Sequence, residues 1–310
     1  MNTVSASVSE KAYAKINLAL DITGKLPNGY HTLRMVMETV SIHDDLVISL
    51  KDDPGMILTC DIEGSGLSKS ALSTGSDNLI LRAAEKILTV ARDRGIINDS
   101  DTGLEFKLTK RIPMAAGLAG GSSDAAAALK GLNRLLNLGM STDELCEIGV
   151  TIGADVPYCI HGGSYLAEGI GEILTPLPKM PSAYLILIKP DVDVSTAYVY
   201  KRSDENKNPV HPDTDGMISA IHKGDLGGIC KRLGNVLRDV TITDLPIISE
   251  LEDALTGHGA LGALMSGSGP TVYGIYDNLA ARDSSFEYIS SIHPDMYLAK
   301  ATFVTPLEGE

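Results

Sequence analysis

The chain has no surplus of basic residues. Its 310 residues include 26 lysines and arginines against 40 aspartates and glutamates, a formal net charge of −14. We therefore expect no nucleic-acid partner, because nothing in this balance neutralises a phosphate backbone. The same balance does not exclude a small phosphorylated ligand, since backbone amides bind phosphate without entering the charge count.

Paired cysteines and long apolar runs are also missing. The four cysteines stand singly, without Cys-x-x-Cys spacing, which is unlike a zinc site or a disulfide framework. No apolar run approaches the roughly 20 residues that span a bilayer. The first residues lack the basic flank and apolar core of a secretory signal. These absences predict a cytoplasmic protein with no membrane partner.

Three common phosphate-binding signatures are absent. No Gly-x-x-x-x-Gly-Lys-Ser/Thr run occurs, which argues against a P-loop. The His-Arg-Asp and Asp-Phe-Gly motifs of protein kinases are missing as well. The glycine spacing also does not match the Gly-x-Gly-x-x-Gly of a dinucleotide-binding fold.

What the chain does contain is a glycine-rich segment at residues 113–124, with the sequence PMAAGLAGGSSD. The next residues predict a helix, with Leu129, Leu132 and Leu136 on one face and Gly139 as its stop. A glycine loop that leads into a helix N-terminus presents free amides and the positive end of the helix dipole to an anion. The segment predicts a phosphate site, although a flexible loop with a serine cap explains the same residues.

The remaining pattern predicts an α+β protein in two lobes, because strands and helices alternate without a regular βαβ repeat. A turn at residues 52–55 predicts a hairpin between strands 47–50 and 56–59. Further strands are predicted at 184–188, 271–276 and 296–304, and a capping box at 141–144 opens a short helix. Glycines cluster at 163–173, so we predict domains at 1–167 and 168–310.

Two further segments accompany the glycine loop. Residues 12–20, AYAKINLAL, predict a strand with Lys15 and Asn17 on one face and Ile16 and Leu18 on the other. Residues 262–271, GALMSGSGPT, form a second glycine-rich turn that enters a strand.

With these three motifs in this order, the chain resembles the GHMP family of small-molecule kinases, named for galacto-, homoserine, mevalonate and phosphomevalonate kinases. The resemblance implies a ribosomal-protein-S5-like N-terminal lobe that binds ATP and a ferredoxin-like C-terminal lobe. The sequences GYHTL at 29–33, GADVP at 153–157 and AEGIGEIL at 167–174 are similar to one branch of the family. Members of that branch use ATP to phosphorylate the 2-hydroxyl of a cytidine diphosphate-linked polyol, on the non-mevalonate route to isoprenoid precursors.

The resemblance implies two catalytic residues. Asp155 would accept the proton of the substrate hydroxyl, and Lys15 would lie between that hydroxyl and the γ-phosphate. Without the resemblance, Asp155 reads as an ordinary helix-end residue and Lys15 as a solvated strand lysine.

The resemblance also implies that the glycine loop binds ATP, with Mg²⁺ carried by the nucleotide and no metal ligand assigned on the protein. The implied ATP-binding residues are Pro113, Met114, Ala115, Ala116, Gly117, Leu118, Ala119, Gly120, Gly121, Ser122 and Ser123. Ser122 and Ser123 combine helix capping with hydroxyls that face phosphate. Ala116 and Ala119 stand where many members of the branch carry glycine, so we predict negative φ at both. Lys110 and Arg111 read as a solvated strand end, with assistance to the phosphates as the alternative.

For the substrate, the resemblance implies a base sandwiched by Tyr30 and Tyr200 and read at its edge by His31. Tyr198 is the alternative to Tyr200. Asn17 and Thr196 would place the ribose or the polyol. The late turn contributes the supporting residues Ser266, Gly267, Ser268 and Gly269.

Two other functions remain open from the sequence. The protein could be another GHMP kinase that acts on mevalonate, homoserine or a sugar, or a GHMP-fold protein that binds a ligand without catalysing. We expect a monomer or a weak homodimer.

Overall fold

The computed structural model describes residues 6–64, 73–97 and 103–306. Its strands are β1 (Ser7–Lys25), β2 (His31–Lys51), β3 (Gly55–Ile62), β4 (Gly103–Lys110), β5 (Ser164–Glu168), β6 (Ile173–Pro176), β7 (Tyr184–Lys189), β8 (Gly234–Asn235), β9 (Gly262–Met265), β10 (Val272–Tyr276) and β11 (Tyr297–Thr302). Its helices are α1 (Leu79–Asp93), α2 (Gly120–Leu135), α3 (Thr142–Val150), α4 (Val156–His161), α5 (Thr196–Ser203), α6 (Thr214–His222), α7 (Leu226–Cys230), α8 (Arg238–Asp244), α9 (Ile247–Gly257) and α10 (Leu279–Ile292).

The first sheet has the order β3-β4-β2-β1-β8, with β5 paired to β2 and β6 paired to β5. The predicted hairpin between β2 and β3 is wrong, because β4 lies between them, antiparallel to β2 and parallel to β3. β4 takes this place because its alternating Leu104, Phe106 and Leu108 side chains are almost fully buried, which a central strand allows.

The second sheet has the order β11-β7-β10-β9, and all its neighbouring strands are antiparallel. The strands predicted at 184–188, 271–276 and 296–304 are confirmed as β7, β10 and β11. Four consecutive apolar residues of β7, from Leu185 to Ile188, are completely buried. This continuous run fits a central strand covered on both faces.

β1 joins the two lobes. Ala14, Ile16 and Leu18 share one apolar cluster with Leu187 of β7 and Tyr273 of β10. β1 also pairs in parallel with β8, which comes more than two hundred residues later in the chain. The first sheet therefore takes strands from both sides of residues 167 and 168, and the boundary we place there stays a prediction.

The helices differ in how clearly local residues mark where they begin and end. The capping box of α3 is present, with Ser141 and Glu144 bonded to each other's backbone amides. α9 starts after Pro246 and ends at Gly257. α2 buries Leu129 and Leu132 together with a run of alanines, and these small side chains let it pack closely on α1 and β1.

Candidate active site

A cleft of about 1120 Å³ runs between the lobes. Of the sequence-predicted site residues, the cleft is lined by Lys15, Asn17, Tyr30, His31, Pro113, Met114, Ala115, Ala116, Gly117, Leu118, Ala119, Gly120, Gly121, Ser122, Asp155, Thr196, Tyr200, Gly267 and Ser268. Ser123, Ser266 and Gly269 are not on its wall. The fold thus brings segments separated by more than two hundred residues to one cavity.

Lys15 is buried in the cleft wall, not solvated. Its Nζ donates to Asn17 Oδ1 at 2.7 Å and to the Gly117 carbonyl at 3.2 Å. It also lies 3.9 Å from Asp155 Oδ2. The first bond requires Lys15 and Asn17 on the same face of β1, as the alternation predicts. An ammonium placed this way meets a ligand with its charge already oriented.

Asp155 directly precedes α4 but does not cap it, because no side-chain cap bond forms. Its side chain remains about one third exposed, and it faces Lys15 across the cleft. The carboxylate is therefore available to a ligand.

The glycine loop and the late turn are packed directly on each other. Gly117 has φ +73°, and a Cβ at this position would come 2.1 Å from the Ser266 carbonyl oxygen. Ser266 Oγ in turn donates to the Gly117 carbonyl at 2.9 Å. Only glycine combines that backbone conformation with that close approach. Ser266 therefore stabilises the glycine loop from a position outside the cleft wall.

The prediction of negative φ is wrong for Ala119. This residue has φ 57° and lies in the left-handed region, as does Ala115 at 48°, whereas Ala116 is not among the positive-φ residues. The turn falls on Ala119 because the chain is held on both sides of it. The Leu118 carbonyl accepts from the Lys15 amide at 3.1 Å, and α2 begins at the next residue, Gly120.

The serines do not cap α2. The N-cap is Ala119, without a side-chain cap bond. Ser123 is buried, and its Oγ donates to the Tyr13 carbonyl at 2.6 Å, so it ties α2 to β1. Ser122 lies on the cleft wall.

Lys110 is not a solvated strand end. It is buried on the cleft wall, with Nζ 2.5 Å from Asp44 and 2.6 Å from Asp124. Burial opposes its charge, but the two carboxylates outweigh that effect and raise the pKa of Lys110. Burial also raises the pKa of the Asp124 carboxyl. Arg111 points elsewhere and pairs with Asp45 at 2.7 Å.

The two tyrosines expected to hold a base differ in exposure. Tyr30 is 59% exposed beside a tight turn. Tyr200 is half-buried on the cleft wall, and burial raises the pKa of its hydroxyl. Tyr198 is outside the cleft and donates to Asp244. Thr196, one turn before Tyr200, bonds Ser268 of the late turn at 2.9 Å.

Sequence reasoning missed two parts of the cleft. One part extends past the loop to the N-terminus of α1, at Asp77, Asn78 and Leu79. The other comprises Lys25 and Asp204 near His31. No spacing pattern marks these residues. They reach the site only because α1, β1 and α5 place them there.

No helix in the described part of the chain has the length and apolar character needed to cross a membrane. The same residues contain no group of three or more histidine, cysteine, aspartate or glutamate side chains arranged to hold a metal.

Family models match both halves of the chain. The GHMP kinases N terminal domain matches residues 78–163, and the GHMP kinases C terminal domain matches 217–292. A 4-diphosphocytidyl-2-C-methyl-D-erythritol kinase of Lachnoclostridium phytofermentans is 45% identical over 298 residues, covering 96% of each chain. The same-named kinase of Clostridium novyi is 41% identical over 290 residues, covering 94% of this chain and 98% of its own.

The structural comparison agrees. A crystal structure of 4-(cytidine 5'-diphospho)-2C-methyl-D-erythritol kinase superposes with a TM-score of 0.76 at 27% identity, covering 96% of this chain and 99% of the other. The order of the motifs, the two-lobed α+β fold and the relatives matched over most of their length all indicate the same family. The chain belongs to the GHMP kinase family.

Proposed function

We propose that this protein uses ATP to phosphorylate the 2-hydroxyl of 4-diphosphocytidyl-2-C-methyl-D-erythritol, giving the 2-phosphate and ADP in the non-mevalonate route to isoprenoid precursors. One observation carries the proposal. The Lys15–Asp155 pair, 3.9 Å apart, lies in the same cleft as the glycine loop and as Tyr30 and His31. A phosphate cradle, a base and a nucleobase platform thus share one cavity.

The chemistry assigned to the pair is proton removal and charge stabilisation. Phosphoryl transfer depends mainly on alignment and on neutralising the charge of the transferred group. Asp155 takes the hydroxyl proton as the oxygen attacks the γ-phosphorus. Lys15 donates to the oxygens on which negative charge develops, and its bonds to Asn17 and Gly117 keep it oriented.

ATP occupies the glycine-loop end of the cleft in this proposal. Its phosphates lie against the backbone from Gly117 to Ser122, and the space toward Asn78 and Leu79 accommodates its nucleoside. Mg²⁺ prefers oxygen ligands and usually keeps several waters. We assign the ion to the ATP phosphates, with Ser122 as a hydroxyl-bearing residue on the same cleft wall.

The cytidine end is assigned to the opposite side of the cleft. Tyr30 and Tyr200 offer aromatic faces for stacking, and His31 offers a polar ring edge. Asn17, which is bonded to Lys15, and Thr196, which is bonded to Ser268, also line the cleft and are assigned to the polyol. Both lobes contribute within one chain, which supports a monomer or weak homodimer. We place it in the cytoplasm.

The deciding experiment is ADP release from purified protein with ATP and Mg²⁺. We expect turnover with 4-diphosphocytidyl-2-C-methyl-D-erythritol and background rates with mevalonate and homoserine. Turnover of either of the last two at a higher kcat/KM would establish the rival kinase. Binding of the cytidine compound without ADP release would establish the non-catalytic alternative.

A further inference from the structure

Helix α5 lines the cleft with residues four positions apart. Thr196, Tyr200 and the C-cap residue Asp204 all lie on the cleft wall, while Tyr198 does not. Residues at i, i+4 and i+8 share one face of a helix. Asp204 therefore belongs to the same surface as the two residues already assigned to substrate, although no sequence motif marks it.

Asp204 holds His31 from the other lobe. Its Oδ1 lies 2.7 Å from His31 Nε2, and its Oδ2 lies 2.5 Å from Lys25 Nζ. The His31 side chain is only 9% exposed. The His31 ring also stacks on Tyr200, with centroids 5.2 Å apart and planes inclined by 23°. The imidazole is thus clamped at one nitrogen and along one face.

This clamp determines which ring nitrogen carries a proton. An ionised carboxylate only accepts hydrogen bonds, so a hydrogen-bonded Nε2 must be the donor. The bonds from His31 and then Lys25 lower the pKa of Asp204, which keeps it ionised. Nδ1 has no hydrogen-bond partner among the described residues, and in the neutral ring it is an acceptor.

We propose that Asp204 is a positioning residue that sets the hydrogen-bond polarity of His31, so that Nδ1 accepts from the exocyclic amino group of cytosine. Uracil carries a carbonyl at that position, and two acceptors would then face each other. Asp204 therefore selects a cytidine over a uridine ligand without touching the base. This inference rests on the proposed function, because it assumes that the base lies against His31.

The test is the substitution Asp204→Asn, which keeps the size of the side chain. Lys25 retains the amide oxygen, so the amide nitrogen faces His31, donates to Nε2 and forces the proton onto Nδ1. The cytosine amino group would then face a second donor, and leaving a buried donor unpaired costs about 1–3 kcal/mol, or roughly 5- to 150-fold in affinity. We expect CMP affinity, measured by calorimetry with ADP filling the ATP site, to fall by about this factor while UMP affinity holds or rises.

Three further readouts separate positioning from a general structural role. Nitrogen-15 NMR should show His31 protonated at Nε2 in the unsubstituted protein and at Nδ1 in the variant. KM for the cytidine substrate should rise while kcat and KM for ATP change less than about threefold. The control is Glu205→Gln, which alters the neighbouring exposed carboxylate, paired with Arg202. It should leave the CMP/UMP ratio unchanged.

Some results would overturn the inference. These are equal losses for CMP and UMP in Asp204→Asn, an unchanged ratio, or no CMP preference in the unsubstituted protein. Failure of the proposed function looks different. In that case the protein would not phosphorylate the cytidine substrate, but CMP selectivity and its dependence on Asp204 would persist.

Discussion

At the scale of single residues, Lys15 and Asp155 illustrate how a buried lysine and a partly exposed carboxylate can form a charged pair that stays open to a ligand. Lys15 uses Asn17 and Gly117 to satisfy its ammonium group, and it keeps Asp155 at 3.9 Å, beyond hydrogen-bond distance. The pair is close enough for mutual attraction but not locked together. A substrate hydroxyl can therefore approach the carboxylate while the lysine remains in place.

The substitution Asp155→Asn tests the base. The amide keeps the shape of the side chain but cannot take a proton, so kcat should fall by about 10²–10⁴. KM for ATP should change little, because the proposed function assigns the nucleotide to the glycine loop. Steady-state ADP release checks both values, with the exposed Asp191→Asn as the matched control. A kcat near that of the control would remove Asp155 from the role of base.

Single residues also show which features could not be inferred from the sequence. The sequence suggested Lys110 as a solvated strand end, but two carboxylates from β2 and α2 enclose it. Asp44 lies 66 positions from Lys110. A partner that distant leaves no local pattern, so burial of the lysine could not be inferred.

At the scale of elements, the segment that leads into α2 must satisfy two structural requirements at once. The loop must turn sharply after Leu118, which is bonded to β1, and α2 must start at once so that its alanines reach the core. Ala119 meets both with a left-handed backbone. For an L-residue this conformation costs about 1–2 kcal/mol. The loop thus holds strain at a position where glycine would have none.

Two glycine substitutions test that strain against each other. Ala119→Gly relieves about 1–2 kcal/mol but gives the unfolded chain more freedom, worth about 0.4–1 kcal/mol. We expect an effect between neutral and a gain of about 1.6 kcal/mol in the free energy of unfolding. Ala116→Gly, three residues away, gives the unfolded chain the same added freedom but relieves no backbone strain. It should therefore lower the free energy of unfolding. Urea denaturation of both variants checks this, and equal losses would contradict it.

Elements with local signals were predictable, and those chosen by pairing were not. The capping box of α3 and the apolar run of β7 can each be recognised within a few consecutive residues. The position of β3 depends instead on β4, which arrives about 40 residues later and separates it from β2. A turn sequence alone does not reveal that a third strand lies between the two it connects.

At the scale of the whole molecule, burial of carboxyl groups links stability to pH. Glu38 is 1% exposed in the first sheet, where Ser164 donates to it at 2.5 Å. Burial raises its pKa to about 8, against a smaller opposing effect of the Ser164 bond. The folded protein therefore holds this proton in a range where the unfolded chain has lost it.

The raised pKa of Glu38 gives a prediction about stability and pH. Between about pH 4.5 and pH 8 the folded state binds more protons than the unfolded state, so the contribution of Glu38 to stability falls as pH rises. Glu38→Gln removes the titration and should flatten the decline of the thermal midpoint across that window. The exposed Glu287→Gln is the control. A decline as steep in Glu38→Gln as in the control would contradict the assignment.

The sequence by itself determined the family, the α+β class, the ATP-loop segment and the identity of Lys15, Asp155, Tyr30 and His31 as candidates. Those conclusions depend on motifs whose residues are close in the chain. Only the tertiary structure decided that Lys110 is enclosed, that Ala119 takes the left-handed turn and that Asp204 reaches His31 from 173 positions away. The physical reason is shared. Burial, strain and hydrogen-bond partners arise from contacts between segments that are distant in the chain, and those contacts exist only in the folded protein.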